Sequence, residues 1–230
     1  MIAYSSELYK LDTKDVAALP NGDRKLAAGC KDSIVILIGN NTDYKNRGES
    51  KDVLLKGRKK LNWALKNKYK YVKVRIAFEP KNNRFDLISP IIRVLRYRLR
   101  TYSSNIYHMS PQDIRNMKIE RNIRTKENAY VFSNPKYQMN TDERKKSFMR
   151  LLNSIKRRGF DDNHPLDIML CRNMGVKDTL NQGHHRMAAA MEANVKRVSV
   201  MFSSAGAMPE FLRPLFLKIA KINMFFKHEE

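Results

Sequence analysis

The chain has 230 residues, 42% of them hydrophobic, which is enough to bury a core and excludes a wholly disordered chain. Its 45 Lys and Arg against 23 Asp and Glu give a formal net charge of +22, so its partners are expected among anions: a nucleic acid, an acidic membrane surface or an anionic glycan. Cys30 and Cys171 lie far apart, which argues against a disulfide framework and against a zinc cluster. There is no run of about 18 apolar residues and Met1 to Lys14 lacks a basic-then-apolar leader, which predicts a cytoplasmic protein, with a peripheral place at the inner membrane face left open by the charge.

In chain order, Asp32 to Gly39 is a nearly continuous apolar run that predicts a short buried strand. The Gly39-Asn40-Asn41-Thr42 turn that follows lacks the glycine and lysine spacing of a P-loop and reads as an ordinary turn. Asp52 to Asn67 sets Val53, Leu54, Leu61, Ala64 and Leu65 among lysines and arginines, the pattern of an amphipathic basic helix. Tyr69 to Phe78 alternates Val72, Val74, Ile76 and Phe78 with Lys73 and Arg75, a strand with one basic face. Residues 1–106 are therefore expected to form a small basic α/β region.

Arg93, Arg96, Arg98 and Arg100 are the densest basic cluster, interleaved with Leu95, Tyr97, Leu99 and Tyr102. On a helix begun at Ser89-Pro90 they spread over much of the surface; on a strand, Arg96, Arg98 and Arg100 share one face. Either arrangement suits nucleic-acid or other anion binding, and the helix suits equally a solvated face packed through Leu95 and Leu99. Near the C-terminus, Phe211, Leu212, Leu215, Phe216, Ile219, Ile222 and Phe226 fall at helical spacing with lysines around them. That predicts a basic amphipathic helix over 209–230, docked on the core or on a membrane interface.

Between these segments lies the most informative stretch. Thr141 to Arg158 reads as a helix stopped by Gly159, and His164 to Leu170 as a strand. A polar turn leads to a short strand ending Leu180-Asn181-Gln182, then Gly183-His184-His185-Arg186, an alanine-rich helix to Ala193 and a strand Arg197 to Phe202. A glycine followed by polar residues at a helix start gathers backbone N–H groups and the positive end of the helix dipole, the arrangement that holds a phosphate. Arg186 adds a planar fork of donors, and His184 and His185 can move protons near neutral pH.

The order, spacing and Gly-His-His-Arg box from about Thr141 to Phe202 resemble the ParB/sulfiredoxin superfamily. Sulfiredoxin-like members place a reactive cysteine after the box glycine; here that position is His184, which excludes that reaction at this place. Chromosome-partitioning members carry Glu-Arg where this chain has His184 and His185, and continue into a helix-turn-helix for which the 28 residues after Phe202 are too few. The box is most similar to that of the free serine kinase branch and of related ParB-like proteins of undetermined activity. The resemblance implies an α+β protein with a ParB/sulfiredoxin-like domain over 107–208. Gln182, Gly183, His184, His185 and Arg186 would face the phosphates of ATP or another nucleotide, with Mg²⁺ as cofactor.

The implied activity is phosphoryl transfer to a hydroxylated small molecule or a glycan sugar. Such chemistry needs a carboxylate to activate the acceptor, with Glu120, Glu127, Glu143, Asp161 and Asp162 as candidates and Asp161-Asp162 expected at the mouth of the site. Two other readings stay open: a ParB-like DNA- or RNA-binding protein or nuclease, and a nucleotide-sensing regulator without turnover.

Overall fold

The computed structural model describes residues 2–23, 33–41, 48–79, 101–115, 118–119, 142–170 and 178–204. The first half contains β1 (Ala3–Asp12), α1 (Thr13–Ala17), β2 (Val35–Leu37), β3 (Val53–Lys56), α2 (Arg58–Lys66) and β4 (Tyr71–Phe78). The second contains β5 (Thr101–Tyr102), β6 (Tyr107–Met109), α3 (Pro111–Ile114), β7 (Lys118–Ile119), α4 (Asp142–Arg158), β8 (Leu166–Leu170), β9 (Thr179–Gln182), α5 (His184–Glu192) and β10 (Val198–Ser204). Among the described residues this is an α+β architecture of two mixed sheets and five helices. The Arg93–Arg100 cluster, Glu120, Glu127 and the 209–230 segment lie outside the described residues.

The first sheet runs in the order β1, β4, β2, β3. On β4 the expected alternation is present: Val74, Ile76 and Phe78 are buried while Lys73 is exposed. The expected Asp52–Asn67 helix is corrected in its first third. Val53–Lys56 is a strand paired antiparallel to β2, and the helix starts only at Arg58. Gly57, at φ +104°, makes the break, and the pairing partners that draw Val53 and Leu54 into a sheet, Leu37 and Ile36, are 16 and 18 residues away, beyond the reach of a helical-period argument. The N-terminal strand β1 has no counterpart among the elements expected from the sequence; its antiparallel pairing with β4 supplies the edge of this sheet.

The second sheet is ordered β5, β10, β8, β9, β7, with β6 also on β10. β10 and β8 are parallel, and β8 and β9 antiparallel. Helix α4 places Phe148, Leu152 and Ile155 on one stripe, and they bury against Ala188 and Ala189 of α5. The run of small side chains in α5 lets the two helices come close. Gly159, at φ +79°, ends α4 by donating its N–H to the Ile155 carbonyl at 2.9 Å, the left-handed stop that its position predicts.

Buried residues of both sheets form one cluster, including Leu11, Ile36, Leu61 and Ile76 with Tyr107, Leu166, Ile168, Met187 and Phe202. Tyr9 of β1 meets the Phe202 ring edge-on at 4.9 Å, and Tyr107 approaches the same ring at 5.7 Å. Two buried carboxylates add polar links. Asp178 accepts the Tyr9 phenol at 2.6 Å and the Ser6 N–H at 3.0 Å. Asp52 accepts the N–H groups of Gly39, Ser104 and Asn105 and the hydroxyl of Tyr107. Burial pushes the Asp52 carboxyl above its usual range, while Tyr107 and the three amides pull it down. The Gly39 amide therefore faces a carboxylate of its own chain, an arrangement that does not suit a phosphate cradle.

Candidate functional site

Gly183 stands at the junction of β9 and α5 with φ +93°. A side chain there would strain the backbone and drive into Leu166, whose Cδ2 lies 2.5 Å from the position of an added Cβ. The fold by itself therefore requires glycine here. The helix begins at His184, because the left-handed glycine is itself the N-cap. The first bond of the helix runs from the Met187 N–H to the Gly183 carbonyl at 2.8 Å. His184, His185 and Arg186 therefore all fall within the first turn, where backbone N–H groups and the helix dipole favour negative charge.

The side chains of this turn are gathered closely. The His184 and His185 rings lie 4.2 Å apart at 43°, and both residues are half-buried. The Arg186 guanidinium folds back over the turn, with one Nη 3.3 Å from the Cβ position of Gly183. Gln182, exposed, precedes the turn at the end of β9. Met187 and Ala188–Ala190 then anchor the helix in the core.

The candidate carboxylates take separate places. Leu166, the residue beneath Gly183, opens β8, so the Asp161-Asp162 loop leads into the end of the sheet where the box sits. Asp161 closes its own loop, accepting the Asn163 N–H at 3.0 Å and lying 2.7 Å from His164 Nδ1; these contacts hold its carboxyl below the usual range. Asp162 reaches His108 Nε2 at 3.1 Å. Glu143 is in the first turn of α4.

Two residues passed over in the sequence join this region. Asp167 is buried in β8, in register with Gln182, where it accepts the Ser203 hydroxyl at 2.6 Å and a hydrogen bond from the Asn181 amide. A lone charge inside an otherwise apolar strand was its visible signal. His108 of β6 lies between two carboxylates, its Nδ1 2.9 Å from Asp15 and its Nε2 3.1 Å from Asp162. The Asp15 hydrogen bond is the main cause that raises the His108 pKa above 6.5; burial opposes it and Asp162 adds to it. Nothing local marks this residue, since Asp15 and Asp162 are 93 and 54 positions away.

No family model matches the chain, and no curated protein and no solved structure matches it. The chemistry rests on its own residues. Among the described residues no three or more His, Cys, Asp or Glu are grouped so as to hold a metal, and no helix is long and apolar enough to cross a membrane. The arrangement can bind a phosphate at the α5 N-terminus, neutralise its charge with Arg186 and exchange protons through paired imidazoles.

Proposed function

We propose that this protein is a nucleotide-binding member of the ParB/sulfiredoxin type that transfers phosphate from ATP or another nucleotide to a hydroxylated small molecule or glycan sugar. The observation that carries the reading is the Gly183 turn: a left-handed glycine opening a nine-residue helix, with two imidazoles and a guanidinium packed in its first turn. The order helix, glycine stop, strand, strand, box, helix, strand from Asp142 to Ser204 supports it. The buried Asp167 beside Gln182 and the Asp161-Asp162 loop before β8 supply carboxylates at the same end of the sheet.

A bound nucleotide supplies an activated phosphoryl group, and Mg²⁺ in this reading travels with its phosphates. The first-turn amides of α5 orient the phosphate oxygens. Arg186 holds the negative charge that grows as the phosphoryl group moves. His184 or His185 takes the acceptor hydroxyl proton, and Asp161 or Asp162 orients that hydroxyl.

The test is incubation of purified protein with ATP, ADP or CTP and Mg²⁺, with and without DNA, followed by separation of the nucleotide products. Turnover lost in His184→Gln or His185→Gln, by about 10²- to 10⁴-fold, with nucleotide binding retained, is the expected result. Binding without turnover would leave a nucleotide-sensing regulator; neither binding nor turnover overturns the box assignment. The second reading, a nucleic-acid-binding protein or nuclease, draws on the net charge of +22. DNA-stimulated nucleotide loss or DNA cleavage would put it first.

A further inference from the structure

Helix α2 buries Leu61 and Ala64, yet carries on its outer side the chain's single tryptophan, Trp63, 56% exposed. Tyr69, 53% exposed, stacks on it with ring centroids 5.3 Å apart at 29°. The helix end explains how the rings meet. Lys68 adopts a left-handed conformation, its N–H bonded to Leu65, and the Tyr69 N–H reaches back to the Ala64 carbonyl at 2.9 Å. This is a Schellman turn, whose usual apolar contact joins the two positions held here by Tyr69 and Trp63. What the turn does not explain is why two large rings stay more than half in water, or why the left-handed position holds lysine in place of glycine.

The rings form part of the wall of a hollow of about 370 Å³, completed by Leu8, Tyr71, Lys60 and Lys73 among others. Between Val53 and Phe78 the sequence carries nine Lys and Arg and no Asp or Glu. Lys66, Lys68 and Lys70 are exposed around the same helix end. Flat aromatic faces ringed by cations, with no acidic side chain among the described residues that line the hollow, fit a ligand that presents flat bases along a line of phosphates. We propose that this hollow is a stacking site for unpaired bases of single-stranded nucleic acid, with the surrounding lysines on its phosphates. A duplex keeps its bases stacked within itself and offers no free face to the rings. A membrane surface calls for a protruding apolar edge, whereas these rings line a concavity. The site is independent of the Gly183 box.

Because Trp63 is the only tryptophan, its emission reports this hollow directly in the full chain. Titration with a 20-mer of deoxythymidylate or uridylate is expected to quench Trp63, with the affinity falling as salt rises. A duplex of the same length should quench it far less. Tyr69→Ala, on an exposed ring whose loss leaves the core intact, should weaken binding of a labelled oligonucleotide by about 5- to 150-fold, the range of one lost base-stacking contact. Lys60→Ser with Lys73→Ser should flatten the log–log salt slope by roughly 1.4, about 0.7 for each lost phosphate contact on a single strand. Arg186→Ala should leave the quenching unchanged. The proposal is overturned if oligonucleotide leaves Trp63 emission unaltered, or if Tyr69→Ala binds as tightly as the unaltered chain. It is equally overturned if heparin or phosphatidylglycerol vesicles quench Trp63 as well as the oligonucleotide does.

Discussion

The Tyr107 hydroxyl, on β6 of the second sheet, donates a 2.6 Å hydrogen bond to the carboxylate of Asp52, which immediately precedes β3 of the first. The same carboxylate caps the amides of Gly39, Ser104 and Asn105, and the Asp52 N–H donates to the Ser104 hydroxyl at 2.7 Å. One buried side chain thus ties three separate segments to one point. Asp52→Ala leaves four donors facing a void. The expected loss is about 3 kcal/mol or more, from the cost of stranding buried donors. Tyr107→Phe removes a single bond and should cost about 1 to 2 kcal/mol. Urea denaturation of both variants checks the ranking, which fails if the two cost the same.

Gly183→Ala should destabilise the fold before it affects any ligand. Its φ of +93° disfavours an L side chain, and the added carbon meets Leu166. The two effects together suggest about 2 to 4 kcal/mol, seen as a fall in Tm of roughly 5 to 15 °C for a chain of this size. A melting curve superimposable on that of the unaltered chain would show that the turn does not take this conformation.

Arg186→Ala is the cleaner probe of the phosphate reading. Removing a charge-assisted contact should weaken nucleotide binding by about 1.5 to 3 kcal/mol, roughly 10- to 150-fold. Calorimetry on the folded variant decides it, and unchanged affinity would remove Arg186 from the site.

His108 should make stability depend on pH in a defined direction. Asp15 and Asp162 raise its pKa in the folded protein above 6.5. The stabilisation is therefore fully present below pH 6.5 and fades as pH rises through the higher folded value. The gap in urea midpoint between the unaltered chain and His108→Gln should be wide at pH 5.5 and narrow at pH 8.5. An equal gap at both would mean that the protonated imidazole contributes nothing to the fold.

The sequence by itself determined the elements whose signals are local. Gly159 stops α4 and Gly183 opens α5 because each needs a left-handed backbone that glycine supplies; Val74, Ile76 and Phe78 announce β4 through alternation alone. The grouping of His184, His185 and Arg186 was legible for the same reason, since consecutive residues after a helix-opening glycine fall within one helical turn. The tertiary structure alone decided what depends on distant partners. Val53–Lys56 follows its pairing with β2 over its helical pattern, Asp52 finds Tyr107 across 55 positions, and His108 finds Asp15 across 93. Hydrophobic periodicity states which face of a segment is buried; which carboxylate a buried hydroxyl or imidazole then meets is fixed only when the sheets share one core, because an unpaired buried polar group costs too much to leave unmet.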